Sequence, residues 1–291
     1  MQTLETRLTE DGSKTFYSPT FKETFHSKYG AKQESEITYI KGCNINAKLA
    51  EKKHLKIIDL CYGLGYNTAS LLETYTKNTH NCSLEIVALE LDISVPQQAI
   101  NNNLLSLWSE DIKEYLRILS SRQKIDQNNL TIELLIGDAR EKIKLLLERQ
   151  FKADAIFFDP FSPPKCPQLW TVDFFELVVQ CLADDGILAT YSCSAAVRNA
   201  MQLVGFKIGR NFTVGKRTPG TLATKGNICL QPLSLMELEH LQTRAAIPYR
   251  DPTLTDTAEV IIERREKEQS SSWLESTSQW KKRWLQSMRS S

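Results

Sequence analysis

From Leu55 onward, short apolar runs of strand length alternate with longer stretches in which apolar residues recur every three or four positions. The strand-like runs are LKIIDL, SLEIVALE, LTIELLI, ADAIFF and GILATYS. The helix-like stretches that follow them are ASLLETY, then VPQQAINNN with DIKEYLRIL, then REKIKLLLERQ, TVDFFELVVQCL and a run around Ala196 to Val204. This alternation predicts an α/β fold, a parallel sheet with helices on both faces. The strands are nearly continuous in apolar residues, as expected when both faces of a sheet are covered.

The two ends of the chain break the rhythm. The first fifty residues are polar and turn-rich (TEDGSKTFYS, FKETFHSKYGAKQES, ITYI) and predict a small hairpin region. Past Leu230, IPYRDPTLTD is a proline-bounded turn region, and TAEVIIERREKEQ is a strand or helix running into a charged helix. The tail SSSWLESTSQWKKRWLQSMRSS is rich in serine and basic. Its Trp273, Trp280 and Trp284 are spaced seven and four apart, which places them on one face of a helix, docked on the body or offered to a nucleic acid. The expected division is an N-terminal extension over 1–50, a main domain over 51–232 and a C-terminal extension over 233–291.

Composition narrows the class without naming a function. The 291 residues are 41% hydrophobic and 24% charged with a formal net charge of +1, ordinary for a globular chain with one α/β domain and extensions. No apolar signal segment opens the sequence, and no uncharged apolar run approaches the roughly 20 residues of a membrane span. None of the seven cysteines sits in a C-x-x-C pair, and the four histidines are scattered. Neither a disulfide framework nor a metal site is expected, and a reducing compartment, the cytoplasm, follows. Cys61, Cys181 and Cys229 border apolar runs and read as reduced core thiols. Charge distribution says more than net charge. Between Ile187 and Met236 there is no Asp or Glu, whereas Arg198, Lys207, Arg210, Lys216, Arg217 and Lys225 all lie there. The window is either a face whose acid partners come from elsewhere or a docking surface for phosphates.

The candidate chemistry gathers at the ends of the predicted strands. The first strand runs into IIDLCYGLGYNT, a glycine turn followed by a helix, where a doubly wound sheet binds a nucleotide-like ligand. Gly63 and Gly65 allow close backbone approach, and Asn67 or Thr68 can open the helix. Residue 68 is Thr where a dinucleotide fingerprint would want Gly, which argues against a pyrophosphate. The second strand ends on Glu90, which can accept both hydroxyls of an adenosine ribose; the third ends in LLIGDAR, where Asp138 can receive an adenine amino group. Either acid alone is compatible with simple loop capping. Together, the three features are the footprint of S-adenosylmethionine in a Rossmann-like class I methyltransferase, which implies a mostly parallel seven-stranded sheet. The expected cofactor shell is Asp59, Gly63, Gly65, Asn67, Glu90, Asp138 and Ala139.

After the fourth strand comes FFDPFSPPKCPQLWT, one carboxylate followed by four prolines. Proline fixes φ and removes a backbone donor, so the loop is stiffened and Asp159 is held. Its D-P-F resembles the [D/N]-P-P-[Y/F] element of amine-directed methyltransferases. With DGSKTFYSPTFKETFHSKYGAKQES, FFDPFSPPKCPQLWTVDFFELV, GILATYSCSAAVRNAMQLVGFKIGR and GKRTPGTLA, most of the chain resembles the MnmC-type methyltransferases of tRNA 5-methylaminomethyl-(2-thio)uridine biosynthesis, in a stand-alone form with no fused flavin oxidoreductase domain. The resemblance implies methyl transfer to a wobble-uridine amine on a tRNA anticodon stem-loop, with Asp159 as the active-site acid. Phe161 and Trp170 either flank the uracil or belong to the core, and Lys216 and Arg217 are candidates for anticodon phosphates. Cys61 departs from the family, standing where many relatives have the first glycine of the turn. Two other functions share the fold: a polyamine synthase-like aminopropyltransferase, which the acid-free window opposes, and a non-catalytic tRNA-binding relative, which the retained acids oppose.

Overall fold

The computed structural model describes residues 4–78, 82–215 and 218–287. Lys216 and Arg217 lie outside the described residues. The N-terminal region forms a small antiparallel sheet of β1 (Glu5–Leu8), β2 (Lys14–Ser18) and β3 (Glu23–Thr24). Next come α1 (Ala31–Glu34), continued by a π-helical segment Ser35–Lys41, and α2 (Ile45–Glu51). The expected ITYI therefore lies in a helix, not in the hairpin. Its Thr and Ile favour strands only weakly when a helical face can be buried. Tyr39 and Ile40 enter the core, and the Ser35 and Ser70 hydroxyls meet at 2.6 Å.

The main body follows as β4 (His54–Leu60), α3 (Tyr66–Lys77), β5 (Ser83–Glu90), α4 (Ser94–Asn101), α5 (Glu110–Arg122), β6 (Lys124–Gln127), β7 (Leu130–Ile136), α6 (Ala139–Glu148), β8 (Ala153–Phe158), α7 (Val172–Cys181), β9 (Leu182–Thr190), α8 (Ala195–Leu203), β10 (Lys207–Arg210) and β11 (Thr221–Thr224). The sheet order is β10-β11-β9-β8-β4-β5-β7-β6. Five strands, β7-β5-β4-β8-β9, run parallel, while β11 pairs antiparallel with both β9 and β10. These are the seven expected strands. An eighth, β6, joins the edge because a short turn after Gln127 folds it antiparallel onto β7.

Side-chain alternation along β4 builds two cores. Ile57 faces a layer with α2, α3 and α5, and Ile58 faces one with α6, α7 and α8. Each such buried side chain contributes about 1.5–3 kcal/mol. Register also sets the site: Leu60 pairs with Leu89 and Phe158, and Glu90 pairs with Ile136, so four parallel strands end at one level.

The C-terminal region packs on the second layer. Tyr249 bridges to Thr171, α9 (Leu235–His240) carries a Ser234/Glu237 capping box, and TAEVIIERREKEQ resolves as helix α10 (Ala258–Ser271) with Ile261 buried. The last helix, α11 (Thr277–Ser287), buries Trp280 against His240, their ring centroids 4.6 Å apart. Trp273 is not on that face. It sits in the serine-rich break before α11 and is 91% exposed, because the helix does not extend back to it.

The basic window is mostly self-satisfied. Arg198 is buried, ion-paired to Glu237 at 2.9 Å and bonded to Thr221 and the Pro219 and Gly220 carbonyls. Arg210 also reaches Glu237, Lys225 reaches Asp184, and Lys207 binds Gly226 and Asn227. The acids lie just outside the window in sequence, so a scan for an acid-free stretch could not see them. Of the three expected core thiols, Cys181 is buried, Cys61 is partly exposed and Cys229 is exposed, since its run lies beyond the end of β11. All seven cysteines are free. Among the described residues no helix is long and apolar enough to cross a membrane, and no group of three or more His, Cys, Asp or Glu could hold a metal ion.

Arg198→Ala should lower the unfolding free energy by about 1–3 kcal/mol: Glu237 keeps Arg210 and Ser234, but the Thr221 hydroxyl and the Pro219 and Gly220 carbonyls lose a buried donor. Urea unfolding checks this; a loss under 1 kcal/mol would mean the cluster is solvated.

Candidate functional site

The turn after β4 is bound to its neighbour strand. The amides of Cys61 and Tyr62 both donate to the Leu89 carbonyl, at 3.1 and 2.9 Å. Three residues of this turn are left-handed: Cys61 (φ 70°), Gly63 (φ 53°) and Gly65 (φ 83°). That conformation costs a residue with a side chain roughly 1–2 kcal/mol, which is why glycine is expected at 61 and why the cysteine there is a departure. A Cβ at Gly65 would lie 2.5 Å from the Tyr62 hydroxyl, so this glycine serves the packing of the turn on itself. At Gly63 a Cβ would press on Phe25 at 3.3 Å.

Above these strand ends lies a cavity of about 430 Å³, within the range of small-molecule sites. Of the sequence-predicted residues, Gly63, Glu90, Asp138, Ala139, Asp159 and Phe161 line it. Asp59, Gly65 and Asn67 are not among its lining residues. Glu90 is the last residue of β5. It is buried, accepts the Gly63 amide at 2.7 Å and the Asp92 amide at 3.0 Å, and burial raises its pKa against those hydrogen bonds. Asp138 caps α6 by accepting the Arg140 amide, and its carboxylate meets the Arg140 guanidinium at 2.7 Å. Although burial opposes it, this pairing holds the Asp138 carboxyl below the usual range. Arg140 in turn reaches the fully buried Asp251 at 2.8 Å.

The stiff loop after β8 supplies Asp159. Its amide donates to the Leu60 carbonyl, and its Oδ2 accepts from Asn67 Nδ2 at 3.0 Å. The prolines cannot donate, and side chains serve the loop carbonyls: Trp170 Nε1 donates to Phe161 O and the Tyr191 hydroxyl to Pro160 O, both at 2.8 Å. Trp170 is therefore core and cannot flank a substrate. Tyr39 and Tyr191 surround Asp159; burial first, and then the Asp159 charge, push both phenols well above their ordinary values. Asp59 lies beneath, fully buried, accepting from Thr68 at 2.7 Å. Burial raises its carboxyl to about 7, the negative charge of Asp159 adding to the shift and the Thr68 and Asn67 hydrogen bonds opposing it.

Sequence reasoning missed part of the wall. Asp92, Ser94 and Arg140 sit one to four residues from predicted positions, close enough for a wider reading of each strand tip to reach them. Phe21 and Phe25 come from the N-terminal turns, and no local signal pointed to them.

Comparison with known proteins agrees with this geometry. A family profile described as an S-adenosyl-L-methionine-dependent methyltransferase matches residues 102–226. The crystal structure of MNMC2 from Aquifex aeolicus superposes with a TM-score of 0.80 at 32% identity, over 92% of this chain and 85% of that one. An uncharacterised protein of Methanocaldococcus jannaschii is 33% identical over 268 residues, 89% of this chain and 70% of that protein. The tRNA 5-methylaminomethyl-2-thiouridine biosynthesis bifunctional protein MnmC of Acidovorax sp. is 26% identical over 230 residues, 75% of this chain. The chain spans about a third of the length of that bifunctional relative.

The raised Asp59 pKa has a consequence for stability. Its folded value, about 7, exceeds the ordinary 3.8, so between these pH values the native state holds a proton that the unfolded chain has released. That contribution is complete below about pH 4 and disappears as pH rises through about 7. Asp59→Asn should remove it, flattening the stability profile over this window relative to the parent by up to roughly 4 kcal/mol. Parallel unfolding curves for the two proteins from pH 4 to 8 would contradict the assignment.

Proposed function

Because the chain belongs to the MnmC2-type family of S-adenosyl-L-methionine-dependent methyltransferases, we propose that it methylates the amine of 5-aminomethyl-(2-thio)uridine at the wobble position of tRNA, in the cytoplasm. In this reading residues 51–232 are the catalytic domain, flanked by the two extensions, and the tRNA is held by its anticodon stem-loop. The observation that supports it most is that the Asp159 carboxylate opens into the same cavity as Gly63, Glu90 and Asp138. The residues suit the cofactor: a concave wall with a bare glycine backbone, and carboxylates at the ends of β5 and β7 able to accept from hydroxyls and an amino group. S-adenosylmethionine, when bound, supplies an electrophilic methyl group.

The protein's own part is alignment. Asp159 attracts the ammonium of the incoming aminomethyl group through a charge-assisted hydrogen bond and takes or relays its proton, leaving a nucleophilic amine. Asn67 steadies that carboxylate by donating to its Oδ2. Positioning of this kind supplies roughly 7–11 kcal/mol in favourable cases, more than an ordinary aspartate offers as a base near neutral pH. Phe161 gives the uracil a ring to lie against. The wobble base is in a loop and is accessible without melting a duplex. Lys216 and Arg217 remain candidates for contacts with the anticodon-stem phosphates.

Incubation with tRNA carrying 5-aminomethyluridine, followed by nucleoside mass spectrometry, tests the function directly; no methylated product from a cofactor-loaded protein would overturn it. Glu90→Ala should weaken cofactor binding by roughly 10- to 100-fold, the loss of a charged acceptor, and unchanged affinity by calorimetry would remove Glu90 from the cofactor site. Asp159→Asn should keep cofactor affinity while lowering methyl transfer by roughly two to four orders of magnitude. Raising the pH should recover part of that loss by supplying neutral amine. Near-normal turnover at pH 7 would make Asp159 a structural loop acid.

A further inference from the structure

Part of the cavity wall comes from the N-terminal sheet and its turns. The turn at 19–22, between β2 and β3, puts the half-buried Phe21 on the cavity side and leaves Lys22 exposed. The Phe21 ring stacks on Phe161 with centroids 4.2 Å apart and planes 18° apart, and Phe25 meets the same Phe161 ring edge-on at 4.9 Å. Glu23 accepts the Ser162 amide at 3.0 Å, tying this turn to the proline loop. Both rings line the cavity, and each has one exposed lysine within four residues of it in sequence, though neither lysine lines the cavity itself: Phe21 with Lys22, and Phe161 with Lys165. Among the described residues neither lysine forms an ion pair, unlike Arg198, Arg210 and Lys225.

We propose that Phe21 is the second half of a nucleobase clamp whose first half is Phe161, and that Lys22 and Lys165 receive the phosphates flanking the clamped nucleotide. This rests on the tRNA reading above. Two parallel, partly exposed rings over an open cavity match the two faces of a planar base. On entry of the base each ring exchanges its aromatic partner for another, so stacking is retained. Flanking cations suit a phosphodiester backbone and would repel a small polycationic substrate. The Glu23–Ser162 hydrogen bond is the contact that must lengthen for the rings to part.

The test uses the full chain with S-adenosylmethionine, an anticodon stem-loop RNA for binding and aminomethyluridine tRNA for turnover. Phe21→Ala should raise the RNA Kd and the tRNA KM by roughly 10- to 100-fold, the range for one lost base stack, with cofactor affinity changed by less than about twofold. Phe21→Tyr should restore tight binding. Phe21→Leu, which keeps bulk without a π face, should stay defective even where Phe21→Ala folds poorly. Replacing Lys22 and Lys165 together by Ala should reduce the slope of log affinity against log salt by about 1.4, two single-strand contacts. If Phe21→Leu binds RNA normally, or loses cofactor and RNA in equal measure, the clamp is overturned while the methyltransferase assignment stands. If the unaltered chain binds the stem-loop and methylates the tRNA but the lysine pair leaves the salt slope unchanged, the phosphate contacts are wrong. Failure of the unaltered chain to bind the stem-loop at low salt would sink the tRNA reading and the clamp together.

Discussion

The Glu90 carboxylate accepts one amide from the turn after β4 and one from its own loop, and the ligand cavity depends on that double hydrogen bond. Without it the Gly63 amide would be buried and unpaired, at about 1–3 kcal/mol. With it, and with the two amides that converge on the Leu89 carbonyl, the turn can hold three left-handed residues, one of them a cysteine. Burial opposes the charge of Glu90, so the carboxylate is kept by its donors and not by solvent. The parallel pairing of β4 with both β5 and β8 then brings Asp159 to the same level, where its amide finds the Leu60 carbonyl.

A second constraint comes from far along the chain. Arg140 joins Asp138 at the cavity rim to Asp251 in the C-terminal extension, and Asp251 is wholly buried, accepting also from the Thr255 and Asp256 amides. The extension is therefore part of how the rim is held. The same logic governs Arg198: a buried guanidinium is tolerated because Glu237 and three oxygens receive it.

What the sequence disclosed follows from the range over which each signal acts. Apolar periodicity is local, and it located the five parallel strands and the helices between them. The acids at the strand tips were legible because a parallel sheet ends its strands in register, so position along each strand becomes position in space. Contacts between distant segments were not legible. Phe21 and Phe25 face the cavity only because the N-terminal sheet folds across it. ITYI has strand-like residues, yet the packing of Tyr39 and Ile40 decided for a helix. The tryptophan spacing suggested one face, but serines 270–272 end the helix before Trp273. An acid-free window says nothing of Glu237 or Asp184, which lie a few residues outside it.

The proline loop binds the working part of the molecule to its interior. With four of its residues prolines that cannot donate, the loop is held in part by the Trp170 indole and the Tyr191 hydroxyl, which bond the two carbonyls after Asp159. Trp170 is wholly enclosed and packs edge-on against Phe158 in the second core layer. The position of the carboxylate is thus inherited from the packed interior and not from a surface loop that can loosen alone. Loosening that carboxylate therefore means disturbing the Trp170–Phe158 packing of the second core layer.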